Sequence, residues 1–350
     1  MTESSRRRSS NSPISPAWGF VVLPWLWFLV RGLHPLLEFI AVLLPLFGGA
    51  AVVVALYIAA SRQHLIAAMT VVSFVVFLLA AIVSPWRPQD QQLPELPATA
   101  MTVASMNVGL YWFSDNDAGF YVDRHQPDLL VGIEFSESHD VEMRSRFENS
   151  IADIISLERQ QENEGLTDTT GDGTSSYKRH GLPSIGLYSN LPIERLDDPI
   201  ADEIDGGLPG IRARVLTNDG PVVVYALHVP RPGLGSVLYE VSAAEHRAIV
   251  DAVISAASAE EEPVMILGDL NSVDRGQSYR AFEAEFTDGM KSDAWAVPTS
   301  DRPLPWSLLY LRPDHLFVSE TLCVANPSSE DTQFADHRPI RAQVGPCPNS

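Results

Sequence analysis

The stretch Val264 to Asn271, V-M-I-L-G-D-L-N, places an acid and an amide, Asp269 and Asn271, at the end of an unbroken apolar run. Two residues apart on an extended chain, they share one side of it. Other polar residues stand at the ends of apolar runs in the same part of the chain. Asn107 follows V-A-S-M, Glu134 follows L-L-V-G-I, and His228 follows V-V-V-Y-A-L. Asp314 opens D-H-L-F-V, and Asp336 and His337 precede a last apolar run. Taken singly, each has an ordinary explanation, such as a turn cap, a solvated strand end or a histidine satisfied by backbone. Taken together, they are carboxylates, amides and imidazoles without a thiolate, a hard donor set suited to Mg²⁺ or Mn²⁺ rather than structural zinc. The histidines and remaining acids suit proton transfer and charge stabilisation at a phosphoryl oxygen. The chain carries no Walker A, G-x-G-x-x-G or G-x-S-x-G pattern. Metal-assisted attack of water on a phosphoester is the chemistry this set fits.

Such residues need strands that deliver them to one edge. Apolar and β-branched runs predict strands over Met101–Val108, Asp128–Ile133, Ser184–Tyr188, Ile211–Thr217, Val222–Leu227, Val264 onward, Asp314–Val318 and Pro339–Val344. Asn218, Asp219 and Gly220 form a hairpin signal between the fourth and fifth of these. Helical spacing predicts helices over Asp117–Gln126, His139–Gln161, Leu238–Ser258 and Ser278–Phe286, and Glu162 to Lys178 reads as a surface loop. Strands and helices alternate while hairpins intervene. That favours an α/β sandwich of mixed sheets over a doubly wound sheet.

The first 100 residues have a different character. Residues 1–13 form a basic tail with Arg6, Arg7 and Arg8, and residues 14–83 hold three apolar runs. The run 64–83 has 20 positions without Asp, Glu, Lys or Arg, the length of a spanning helix. A second run begins after Glu38. The third, Ile14 to Val30, carries Trp18, Trp25 and Trp27 and is read either as a span or as an interfacial helix. A transmembrane region of two or three helices is therefore expected, followed by a Pro- and Gln-rich linker, 84–100, and a large domain, 101–345. Three spans put that domain outside the cytoplasm and two put it inside; the first is preferred. The only cysteines, Cys323 and Cys347, fit either a disulfide of an exported domain or two separate thiols. The chain carries a net charge of −20, and all of its excess acid follows the linker, the first 98 residues being net positive. Clustered Lys and Arg are what grip a polyanion, so this balance disfavours nucleic acid.

In order, S-M-N-V, P-D-L-L-V-G-I-E, S-I-G-L-Y-S-N-L-P-I, L-H-V-P, L-G-D-L-N-S, P-D-H-L-F-V-S and A-D-H-R-P-I resemble the endonuclease/exonuclease/phosphatase superfamily, with its deoxyribonuclease-like fold. The resemblance runs from about 101 to 345 and is nearest to the membrane-anchored bacterial type. It implies a four-layered α/β sandwich with two mixed β-sheets, and a Mg²⁺- or Mn²⁺-dependent phosphodiesterase, phosphatase or nuclease. By resemblance, Glu134, Asn107 and Asp336 serve the metal and Asp269 activates water. Asn271 holds that water and the phosphate, His228 and His337 contact the phosphoryl group, and Asp314 orients His337. Leu270, Leu227, Asn190 and Pro313 depart from the family's habits without removing a catalytic group. The implied partners are a phosphoester substrate (small molecule, lipid or nucleic acid) and the lipid bilayer, with no protein partner evident. A silent binding protein of the same fold is the competing class.

Overall fold

A computed structural model describes residues 37–60, 64–79, 96–109, 116–154, 184–233, 240–291, 298–300, 311–330, 335 and 337–348, with isolated positions before 37 and at 87. Among the described residues from 37 onward two helices come first, α1 (Leu37–Ala60) and α2 (His64–Leu78), packed against each other. Trp25 donates to Ser73 Oγ at 2.6 Å, which fixes part of the first apolar run to α2. The second helix has 15 residues, and the side chains described in α1 are those of 41–43 and 52–60. Among the described residues, no helix is long and apolar enough to cross a membrane.

From residue 101 the chain alternates as its apolar runs require. The elements are β1 (Met101–Asn107), α3 (Asn116–His125), β2 (Leu129–Ile133), α4 (Glu137–Arg144), β3 (Asn149–Asp153), β4 (Ile185–Ser189), β5 (Ile193–Arg195), β6 (Gly210–Thr217) and β7 (Gly220–His228). Then follow β8 (Arg231–Pro232), β9 (Glu240–Val241), α5 (Ala243–Ser258), β10 (Val264–Asp269), α6 (Gln277–Glu285), β11 (Thr287–Asp288), β12 (Asp314–Val318), β13 (Leu322–Ser329) and β14 (Ile340–Pro346). Twelve of these strands form two six-stranded mixed sheets, ordered β13-β14-β1-β2-β4-β3 and β11-β12-β10-β7-β6-β5, and β8 pairs with β9 in a separate parallel pair. The hairpin lies where Asn218 and Asp219 demanded it, with Thr217 paired to Gly220.

Period-two burial explains the layering. Val103, Leu129, Val131 and Leu187 from one sheet meet Val222, Val224, Met265 and Leu267 from the other in the central core. The alternate side chains face outward, where Tyr225, Ile266 and Phe317 pack under α5 and α6. On the opposite side, Ala104, Leu130 and Tyr188 pack under α3 and α4. Cys323 and Cys347 are joined in a disulfide across the start of β13 and the end of β14.

Three expectations need correction. Over the described part of the helix expected at His139–Gln161 there is only the eight-residue α4, after which Ser145 and Arg146 turn back onto the carbonyls of Glu142 and Met143; residues 155–161 lie outside the described residues. Asn149–Asp153 then pairs with β4 as an edge strand. Ile151 packs on the central core and Ile154 on the outer one, whereas a helix would have turned both to one side. The helix expected from Leu238 begins at Ala243, where Ser242 Oγ caps the Glu245 N–H at 3.1 Å. The strand Leu322–Ser329 is additional to the expected set. It runs through Pro327 by a register shift between Ala325 and Ser328, with Asn326 at φ 52°.

Candidate active site

Each sheet holds one parallel pair at its centre, β1 with β2 and β7 with β10. Parallel pairing brings two C-terminal strand ends to the same edge, where α/β sheets commonly bind ligands. In the first pair Asn107 lies opposite Ile133, so Glu134 stands one step beyond it. In the second, His228 lies opposite Asp269. Strand β12 runs antiparallel to β10 and starts at this edge, with Asp314 opposite Asp269. Strand β14 runs antiparallel to β1, with Ile340 opposite Ser105, so His337 arrives just past the end of β1.

Seven of the eight residues singled out in the sequence therefore converge. Asp336 lies outside the described residues. The Asp269 carboxylate is buried at the centre, and its Oδ2 accepts from Asn107 Nδ2 across the two sheets at 3.0 Å. Around the same oxygen stand His228 Nε2 at 3.7 Å and His337 Nδ1 at 3.8 Å. Glu134 Oε1 is 3.7 Å from His228 Nε2 and 3.5 Å from Asn107 Nδ2. His337 Nδ1 meets Asp314 Oδ2 at 2.8 Å, a charge-assisted contact when the ring is protonated. Asn271 donates its side-chain amide to Val229 O at 3.0 Å and its backbone N–H to Asp269 Oδ1 at 2.8 Å.

The backbone is bent where it delivers these groups. Glu134 has φ 57° and Asn271 φ 45°, left-handed conformations that are costly outside glycine and gather at functional sites. Gly268, at φ 145°, is obligatory for a second reason. A Cβ there would lie 2.1 Å from Leu227 O on the neighbouring strand.

Burial pushes the Asp269 carboxyl above its ordinary value; His337 opposes the push, Asp314 adds to it and His228 opposes it. Beneath the site lies an ionic cluster that sequence reasoning missed. Arg312 is fully buried and donates from Nε to both Asp274 oxygens at 3.0 Å and from Nη1 to Asp288 at 3.3 Å. Tyr279 Oη donates to the same Asp288 at 2.6 Å. Burial would raise the Asp288 carboxyl, but Arg312 and Lys291 hold it down at about 2. The cluster ties the loop after β10, which carries Asn271, to the residue two places before Asp314. Thr299 adds a second tie, its Oγ1 accepting from the Asp314 N–H at 3.2 Å.

The donor set fits a hard divalent cation. Asp269, Asp314 and His337 each offer a ligand atom, all within 4.8 Å of one another. Glu134 adds a carboxylate from the other sheet. A sequence profile described as the Endonuclease/Exonuclease/phosphatase family matches residues 122–337, more than half the chain. The chain belongs to the endonuclease/exonuclease/phosphatase family. It is a hydrolase acting on phosphoester bonds, as that family membership entails. No curated protein matches the chain. Solved structures of similar fold include an endonuclease/exonuclease/phosphatase from Bacteroides vulgatus, 14% identical at TM-score 0.49, covering 71% of this chain and 99% of that one. An AP endonuclease from Archaeoglobus fulgidus is 11% identical at TM-score 0.49, with 69% and 98% covered. A 3′ phosphatase from Neisseria, bound to product DNA hairpin, is 13% identical at TM-score 0.47, with 69% and 98% covered.

Proposed function

We propose that this member is a membrane-anchored phosphoesterase that hydrolyses its substrate by attack of water, with Mg²⁺ or Mn²⁺ as cofactor. One observation carries the reading: the buried Asp269 carboxylate is met from both sheets by Asn107, His228 and His337, with Asp314 behind His337. In the proposed roles, Glu134 and Asn107, with Asp336, would hold the cation, while Asp269, Asp314 and His337 serve the attacking water and the phosphoryl group. The cation supplies charge neutralisation at the phosphoryl group and a more acidic water. Asp269 takes the proton of the attacking water, whose oxygen forms the new bond to phosphorus as the ester P–O bond breaks. Asn271 is held through one Nδ2–H donated to Val229 O, and its Oδ1 orients that water. His337, oriented through its Nδ1 contact with Asp314, acts on a phosphoryl oxygen together with His228, the two rings standing 3.8 Å and 3.7 Å from Asp269 Oδ2.

A panel of p-nitrophenyl phosphate and bis(p-nitrophenyl) phosphate, assayed with Mg²⁺, with Mn²⁺ and with chelator, tests the reading. Metal-dependent release of p-nitrophenolate that is abolished by Asp269→Asn is the expected result. Chelator-insensitive turnover would overturn the metal's part in the reading, and no turnover with any ester would overturn the reading as a whole.

In the same reading the apolar region 14–83 anchors the chain and domain 101–345 lies outside the cytoplasmic membrane. The length of the apolar runs supports the anchor. The Cys323–Cys347 bond supports the outer side, since disulfides persist in oxidising compartments. Protease added to intact, wall-stripped cells should degrade the domain; its full protection while known external proteins are digested would place it inside.

A further inference from the structure

We infer that α1 forms part of the substrate site and that the substrate is an amphiphilic phosphodiester, one ester arm of which is apolar and lies against Val42. The inference rests on the phosphoesterase reading above and narrows it.

A cavity of about 150 Å³ opens beside the reacting centre, lined by Asn271 and His337 on its polar side. Arg231 also lines it, a cation suited to a phosphoryl oxygen. Its apolar wall comes from Val273, Pro313 and, from more than two hundred residues away in sequence, Val42 of α1. A cavity of this volume admits a benzene-sized apolar group. A phosphoryl group between Asn271 and His337 would therefore carry one substituent onto Val42.

The wall is held in register with the chemistry by one buried side chain. Arg275, four residues after Asn271, donates from Nε to Ala41 O and from Nη2 to Val42 O at 3.0 Å. Within an α-helix the Ala41 carbonyl would accept from the N–H of residue 45, but residue 45 is proline and has none. The helix leaves that acceptor open, and Arg275 fills it. Pro45 and Arg275 thus form a lock between α1 and the loop that carries Asn271.

A series of alkyl p-nitrophenyl phosphates from methyl to hexyl, kept below their micellar concentrations, tests this with the full-length chain in mild detergent. In each, water adds to phosphorus, p-nitrophenolate leaves and the alkyl ester stays. The kcat/KM of the hexyl ester should exceed that of the methyl ester by at least tenfold, and thymidine p-nitrophenyl phosphate should not exceed the methyl ester. Val42→Asp should bring the hexyl-to-methyl ratio close to one, whereas Val42→Ile keeps it. Arg275→Ala should lower the ratio, and Arg275→Lys, which retains a donor, should restore part of it. The readout is a ratio within one preparation, so a variant that folds in lower yield does not disturb it. A flat series with the methyl ester still cleaved would overturn this inference alone. A ratio that survives Val42→Asp, or a preference for the nucleoside ester, would do the same. Failure to cleave any ester would remove the phosphoesterase reading and this one with it.

Discussion

His337 meets Asp314 through Nδ1, and in the proposed mechanism that contact gives the pair a joint task. In that mechanism the carboxylate sets the ring's orientation while the ring acts on the phosphoryl group. His337→Ala should lower kcat by about 10² or more, the scale of a positioned acid or base. Asp314→Asn should fall between wild type and that loss. The double variant should be hardly worse than His337→Ala, because residues that act as a unit are not additive. Steady-state kinetics of the four proteins check this, and losses that multiply would separate the two residues. Glu134→Gln should act differently, raising the metal concentration needed for half-maximal rate, whereas His337→Ala leaves that requirement nearly unchanged.

At the scale of elements, the ends of the strands matter more than the strands. Arg312 and the carboxylates of Asp274 and Asp288 hold the approach to β12 against the loop after β10. Arg312→Met leaves those two acids buried without their main counter-charge and should destabilise the fold by about 3–5 kcal/mol, read from denaturant midpoints. Helix α5 holds the other side through His246, whose Nδ1–H donates to Pro230 O at 2.9 Å, just past His228. Burial depresses this imidazole to about 4 from an ordinary 6.5. The unfolded chain therefore binds the proton first as the medium becomes acid. The contribution to stability is full above pH 6.5 and falls away towards pH 4, by up to about 3 kcal/mol. His246→Gln should flatten that part of the stability profile, measured against wild type by urea titration at pH 7 and pH 5. What was legible in the sequence follows the same division. Strand β10, with Gly268, Asp269 and Asn271 at its end, was readable because an apolar run and its polar terminus are local facts. Arg312 was not, since its partners Asp274 and Asp288 lie 38 and 24 residues away and only the fold joins them. Strand β3 was misread because Phe147, Ile151 and Ile154 have helical spacing although two different layers take up Ile151 and Ile154. Strand β13 was overlooked because Asn326 and Pro327 imitate a turn.

At the scale of the whole molecule, charge bears on what the enzyme meets. With a net charge of −20 it should bind plain duplex DNA more weakly than micromolar at physiological salt, where ordinary non-specific binding is about 10⁻⁴ to 10⁻⁶ M. Nanomolar retention in a gel-shift at that salt would reveal a local basic groove that overrides the total. The architecture has a mechanical consequence as well. Asn107 and Glu134 belong to one sheet, His228, Asp269 and Asp314 to the other, and the 3.0 Å contact between Asn107 and Asp269 closes the joint between them. In the proposed mechanism, catalysis is in effect a strain gauge mounted across that joint. Hydrostatic pressure favours states that remove internal voids, and the interface between the sheets is where such a state would begin to open. Activity should therefore fade, reversibly, at pressures that still leave the strands' far-ultraviolet signal intact.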